Sequence, residues 1–188
     1  MRTLIAVPDR DLARCCESLL ADSLAVFDGA QALTALETGL YDLCVMSWDL
    51  PRIGWQRIAA LCREKEILTL ALIPGPVSAA LLLDPAAACG YLPLPFLPED
   101  LTGAVRDLRE KAGMTLPFDG FTAQGFTLRT AGGTRPLTAG ELDLLAALHG
   151  ERRADAPLAC VSALNAKLPG YRIRYRKNEG YRLVTEHA

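Results

Sequence analysis

The chain has 188 residues, of which 51% are hydrophobic and 22% charged, and a formal net charge of −2. That length accommodates one mid-sized domain with a full core plus a smaller one, and no segment pairs low hydrophobicity with a charge run, which excludes long disorder. The apolar start, Leu4-Ile5-Ala6-Val7, gives way at once to Pro8-Asp9-Arg10-Asp11. It is far too short for a signal-peptide core or a spanning helix, so the expected location is cytoplasmic.

The chain falls into a repeated strand-helix pattern. Leu4–Val7 predicts a strand, and Leu12, Cys15, Cys16, Leu19 and Leu20 form one stripe of a helix over residues 11–21. The unit recurs as strand Leu24–Phe27 with helix Ala30–Glu37, strand Leu43–Met46 with helix Trp55–Glu64, strand Leu68–Ile73 with helix Val77–Leu83, and strand Tyr91–Leu92 with helix Glu99–Lys111. Five such units joined by short connections predict an α/β fold, a flavodoxin-like doubly wound five-stranded parallel sheet with any active site at the carboxyl ends of its strands. Residues 113–118, within the Gly- and Pro-containing stretch Gly113–Gly120, read as a linker between a domain at 1–112 and another at 119–188. Beyond it the pattern changes to short strands around Phe126–Arg129, a helix from Thr138, another from Pro157 and a terminal hairpin, a small α+β domain.

Charge is distributed unevenly. Residues 1–118 hold 10 Lys/Arg against 15 Asp/Glu, and residues 119–188 hold 10 against 7. The second part is therefore the candidate for touching nucleic acid. Cys15, Cys16, Cys44, Cys62, Cys89 and Cys160 show no Cys-x-x-Cys spacing and mostly sit in apolar patterns, as reduced structural thiols do.

The element order over residues 2–112, with Tyr41-Asp42-Leu43-Cys44-Val45-Met46-Ser47-Trp48-Asp49-Leu50-Pro51 and Gly90-Tyr91-Leu92-Pro93-Leu94-Pro95-Phe96, resembles the receiver domain of two-component response regulators. Receivers hold Mg²⁺ with two carboxylates after the first strand and an aspartate ending the third, and that aspartate takes the phosphoryl group. The resemblance puts Pro8 and Asp9 at the acidic pair, Ser47 at the acceptor, Ile73 at the switch hydroxyl and Leu94 at the phosphate-pairing lysine. Together these imply a degenerate phosphorylation site with no metal and no cofactor. Asp49 reads as a cap of the following loop rather than a displaced acceptor, and Asp9 and Asp11 serve equally as N-cap and first-turn acids of the helix at Leu12.

In the DNA-binding subfamily, receivers dimerise through the fourth helix, fifth strand and fifth helix. Here Val77-Ser78-Ala79-Ala80-Leu81-Leu82-Leu83 carries no charge before Asp84. One helix face cannot hide three consecutive leucines, so a constitutive homodimer is expected through Val77, Ala80, Leu81, Leu83, Asp84 and Arg106, against the alternative that the leucines pack on the sheet.

The second domain opens with a capping box, Thr138 to Glu141, and a stripe at Leu142, Leu145 and Leu148. This helix, with the terminal Ile173-Arg174-Tyr175-Arg176-Lys177-Asn178-Glu179-Gly180-Tyr181-Arg182-Leu183, is similar to the winged-helix effector domain of OmpR/PhoB-type regulators. Ala159–Leu168 takes the place of that family's recognition helix, with Val161, Leu164 and Leu168 as its buried stripe. The resemblance implies DNA binding by Ser162, Asn165, Lys167, Arg172, Arg174, Arg176 and Lys177. Two departures stand out: Ala163 and Ala166 occupy positions usually basic, and only Gly150–Leu158 separates the two helices where the family has another helix and a loop.

Residues 152–182 carry Arg152, Arg153, Lys167, Arg172, Arg174, Arg176, Lys177 and Arg182 against Asp155 and Glu179, a net of +6 with Tyr171, Tyr175 and Tyr181 between them. Such a hairpin suits phosphates, although alternating Arg and Tyr also fills the solvated face of any exposed ribbon. The expectation is a phosphorylation-independent, dimeric DNA-binding transcriptional regulator; the alternative is an adaptor that docks on another regulatory protein. No membrane partner is expected. Enzyme chemistry finds little support, since His149 and His187 lie outside the receiver-like sheet and no Gly-rich phosphate loop is present.

Overall fold

A computed structural model describes residues 1–75, 88–150, 156–177 and 179–185. The chain divides into two compact units, Met1–Arg109 and Glu110–Ala188.

The first unit is a five-stranded parallel sheet of order β2-β1-β3-β4-β5, built from β1 (Thr3–Ala6), β2 (Ser23–Val26), β3 (Leu43–Ser47), β4 (Leu68–Pro74) and β5 (Gly90–Leu94). Every residue of β1 and β3 is buried, as in a parallel sheet covered on both faces. The described helices are α1 (Arg10–Leu19), α2 (Gly29–Thr38), α3 (Trp55–Glu64) and α4 (Pro98–Ala112), the last straddling the division between the units. Leu36, Met46, Ile58, Cys62 and Ile73 sit in one core cluster with Trp55, whose ring meets Tyr91 edge-on at 6.4 Å. Gly29 has to be glycine: a Cβ there would lie 2.0 Å from the Ile53 carbonyl oxygen, because the loop after β3 closes on the start of α2.

Five strands in the order expected from the sequence thus form the doubly wound sheet. The helix expected at Val77–Leu83 lies outside the described residues.

In the second unit, a four-stranded antiparallel sheet runs β6-β7-β8-β9, from Thr115–Phe118, Phe121–Gln124, Thr127–Thr130 and Gly133–Pro136. This corrects the linker expected at 113–118, since residues 115–118 form a strand. Leu116 is buried in the domain core, and Pro117 is tolerated because β6 is an edge strand. Gly125, at φ +52, makes the turn into β8, where a Cβ would lie 2.8 Å from the Ala112 carbonyl oxygen. Helices α5 (Ala139–His149) and α6 (Leu158–Asn165) and the hairpin β10 (Tyr171–Arg176) and β11 (Gly180–Thr185) complete the unit. Leu128, Leu142, Leu145, Leu164, Leu168 and Ile173 gather sheet, helices and hairpin into one core. Residues 151–155, with Arg152 and Arg153, lie outside the described residues.

Candidate functional site

The parallel register brings the expected phosphorylation positions to one edge of the first sheet. Ser47 ends β3 opposite Leu72, Ile73 stands opposite Pro93, and Leu94 ends β5 opposite Pro74. Pro8 and Asp9 follow β1, the neighbour of β3 on its other side.

The groups at this edge are already engaged in local structure. Asp9 is the N-cap of α1, its Oδ1 accepting from the amides of Asp11 and Leu12 at 2.9 and 3.0 Å. This is the capping role that the Asp9–Leu12 spacing suggests. Ser47, 3% exposed, donates through its hydroxyl to Asp49 Oδ1 at 2.5 Å. Ile73 is fully buried, and Leu94 is half-buried and offers no charge. The loop beyond Asp49 is tied away: Gly29 donates to the Pro51 carbonyl at 3.0 Å, and Arg52 pairs with Asp28, the N-cap of α2, at 3.6 Å.

A Mg²⁺-phosphoryl centre of the receiver kind needs several carboxylates and a lysine facing one point. This donor set does not fit it. A hydroxyl stands at the acceptor position, a proline at one acidic position and a leucine at the lysine position. Among the described residues no group of three or more His, Cys, Asp or Glu side chains could hold a metal ion.

Four of the thiols, Cys16, Cys44, Cys89 and Cys160, are equally quiet. Burial pushes the Cys16 thiol up to about 11, with Cys15 adding to it, and burial does the same at Cys160, with Glu141 adding. The Cys44 thiol is raised well above its ordinary value, first by its hydrogen bond with Cys62 and then by burial, and burial raises Cys89. Thiols held protonated are poor nucleophiles and poor metal ligands.

The second candidate site is the hairpin. Tyr171, Ile173 and Tyr175 alternate with Arg172, Arg174 and Arg176 along β10, and the register sets Ile173 against Leu183, Tyr175 against Tyr181 and Arg174 against Arg182. Period-two alternation therefore sorts Tyr171, Ile173, Tyr175, Tyr181 and Leu183 onto one face and the arginines, with Val184 across from Arg172, onto the other. Ile173 anchors the first face in the core, and Tyr175 meets Tyr181 edge-on at 5.6 Å. Tyr171 Oη donates to the Asp119 carbonyl, joining the hairpin to the turn after β6.

On the outward face Arg174 and Arg176 are exposed, Lys177 is exposed at the turn, and Arg182 lies directly across from Arg174. Glu179 is only 3.8 Å from Arg176 and 3.9 Å from Arg182, loose pairings that leave a net positive surface. Two like charges directly opposite on a ribbon destabilise it unless an anion shares them.

Three of the residues expected at a DNA surface are instead bound up in the domain. Lys167 Nζ donates to Glu141 Oε2 at 2.6 Å and to the Pro136 carbonyl at 2.8 Å, and its side chain is 15% exposed. Asn165 makes both side-chain hydrogen bonds to one residue: Ile173 N–H donates to its Oδ1 at 2.7 Å, and its Nδ2 donates to the Ile173 carbonyl at 3.3 Å. Arg172 Nη1 donates to the Asn165 carbonyl at 2.9 Å. The physical reason is packing: Asn165 and Arg172 tie the end of α6 to β10, and Lys167 ties the residues after α6 to α5 and β9. Ser162 is exposed on α6, Arg174, Arg176 and Lys177 gather on the hairpin, and Arg106 is an exposed residue of α4 beside Asp107. The other expected dimer positions, Val77, Ala80, Leu81, Leu83 and Asp84, lie outside the described residues. Arg182 was legible only as charge; the strand register makes it part of this surface.

The fold, a receiver-like parallel sheet followed by a small domain with an antiparallel sheet and a terminal hairpin, is similar to that of solved response regulators, OmpR/PhoB-type ones among them. Among solved structures, a cysteine-to-aspartate mutant of RitR superposes with TM-score 0.68 at 20% identity, covering 98% of this chain and 99% of that one. The response regulator DrrB, described as a Thermotoga maritima OmpR/PhoB homolog, gives 0.58 at 17% identity over 96% of this chain and 97% of its own. A Francisella response regulator receiver domain gives 0.52 at 22% identity, covering 58% of this chain and 97% of that one. In sequence, the transcriptional regulatory protein CiaR of Streptococcus pneumoniae (strain ATCC BAA-255 / R6) is 33% identical over 99 residues, 50% of this chain. The match spans 43% of CiaR, less than half of its length. No protein-family model matches the chain. No helix among the described residues is long and apolar enough to cross a membrane.

Proposed function

We propose that the chain is a phosphorylation-independent transcriptional regulator that binds DNA through the outward face of its terminal hairpin. The observation that carries this reading is the sorting of Arg174, Arg176 and Arg182 onto one face, with Lys177 at the turn, while the opposite face is anchored in the core. Rigid presentation of several cations is what phosphate binding requires, and each phosphate neutralised releases counterions. CiaR, a relative in sequence, is named a transcriptional regulatory protein.

The first domain takes part without phosphoryl chemistry in this reading, since Ser47 and Leu94 replace the acceptor and the cation. Assembly is then constitutive, a homodimer through Val77, Ala80, Leu81, Leu83, Asp84 and Arg106, a reading that rests on the uncharged sequence of Val77–Leu83. Sedimentation at micromolar concentration checks it, and a monomer only would remove it. In this reading the protein acts in the cytoplasm.

The test of the function is titration against mixed-sequence duplex DNA at low and moderate salt. Binding that weakens steeply with salt is the expected result. No binding at low salt would sink the reading and favour an adaptor that docks on another protein.

A further inference from the structure

We infer that the helix in the recognition position, α6, reads no bases, so that the ligand of the effector domain is the phosphate backbone of duplex DNA without major-groove sequence readout. This rests on the DNA-binding reading above and states which chemistry of DNA is recognised.

Readout of base edges in the major groove depends on side chains with paired donors or a donor and an acceptor, Arg or Lys on guanine and Asn or Gln on adenine. The solvent stripe of α6 and the residue after it is Leu158, Ser162 and Ala166, spaced four apart and all exposed. Leu158 is 78% exposed and apolar, Ala166 has nothing to offer, and a lone serine hydroxyl pairs with any base.

The side chains that could read bases are turned inward. Asn165 has both its amide oxygen and its amide nitrogen on the Ile173 backbone. Those bonds imitate a strand partner: they satisfy the donor and the acceptor of one β10 residue from the end of α6. Lys167 is held by Glu141 Oε2, the same oxygen that accepts from the Thr138 amide in the capping box of α5. Turning Lys167 outward would leave Glu141, 2% exposed, as a buried unpaired carboxylate. Arg172 closes the set on the Asn165 carbonyl.

Helix α6 is thus a brace that fixes the hairpin on the domain. Among the described residues, Arg174, Arg176, Lys177 and Arg182 gather positive charge on β10, β11 and the turn between them, with Arg129 exposed separately on β8, and contacts to phosphate fix position without carrying sequence information. What preference remains comes from the shape and deformability of the duplex.

The experiment is a selection from a random duplex pool on the full chain at low salt, followed by affinity measurement on duplexes in which 7-deazaguanine replaces guanine and so removes the N7 acceptor from the major groove. The inference expects DNA to be retained with no discrete motif enriched, and affinity on the substituted duplex within about twofold of the unmodified one. Enrichment of a defined motif, or a loss of about tenfold on the substituted duplex, would overturn it while leaving DNA binding intact. A pool that is not retained at all would overturn the DNA reading beneath it.

Discussion

Lys167 Nζ and Glu141 Oε2 lie 2.6 Å apart, with side chains 15% and 2% exposed, and this ion pair ties the residues after α6 to the first turn of α5. A charge pair this far from water holds mainly because breaking it is costly. Lys167→Met is therefore expected to destabilise the second domain by about 3 kcal/mol, read from urea unfolding, because the Glu141 carboxylate would be left unpaired. A lysine that served DNA alone would leave the unfolding midpoint where it was.

Asn165→Ala removes a donor and an acceptor from the Ile173 backbone at once. The expected cost is about 1–3 kcal/mol, with faster hydrogen exchange at the Ile173 amide than in the parent protein. Unchanged exchange at that amide would show that the brace contributes nothing to holding the hairpin.

In the proposed DNA-binding function the hairpin cations act on affinity and hardly on folding. Arg174→Ala combined with Lys177→Ala is expected to lower the slope of log affinity against log salt by about 2, one for each phosphate no longer neutralised. Thermal unfolding of the double variant should stay at or slightly above the parent, because Arg174 and Arg182 stand opposite each other on the free ribbon.

The buried thiols give a pH dependence of definite sign. In the folded chain Cys16 and Cys160 lose their protons only near pH 11, against an ordinary 9.0 when unfolded. A raised value means that the unfolded chain releases the proton first. Stability from these groups is full below pH 9 and lost as pH rises from 9 towards 11. Denaturant unfolding at about pH 7.5 and about pH 10.5 should show the loss, and Cys16→Ala with Cys160→Ala should reduce it. At neutral pH, Cys15, which is exposed, should be alkylated well before the buried Cys16, Cys44 and Cys62.

Periodicity made the first domain legible, because a fully buried parallel sheet writes continuous apolar strands such as Leu43–Ser47 between amphipathic helices. The capping box at Thr138–Glu141 and the terminal hairpin were legible for similarly local reasons. The four-stranded sheet was not, apart from β8: its strands are four residues long, too short for alternation to register, and β6 carries Pro117 among linker-like neighbours. The limits of the candidate DNA surface were hidden for another reason. Whether Asn165, Lys167 and Arg172 face water or the Ile173 and Glu141 side of the domain depends on tertiary packing, and composition records only that they are polar.

In the proposed function the carboxyl edge of the sheet, with Asp9 capping α1 and Ser47 bonded to Asp49, carries no phosphoryl chemistry. The most direct measurement is the intact mass of the full chain after incubation with acetyl phosphate and Mg²⁺. An unchanged mass is expected; a phosphoryl adduct mapping to Asp9, Ser47 or Asp49 would contradict a phosphorylation-independent function.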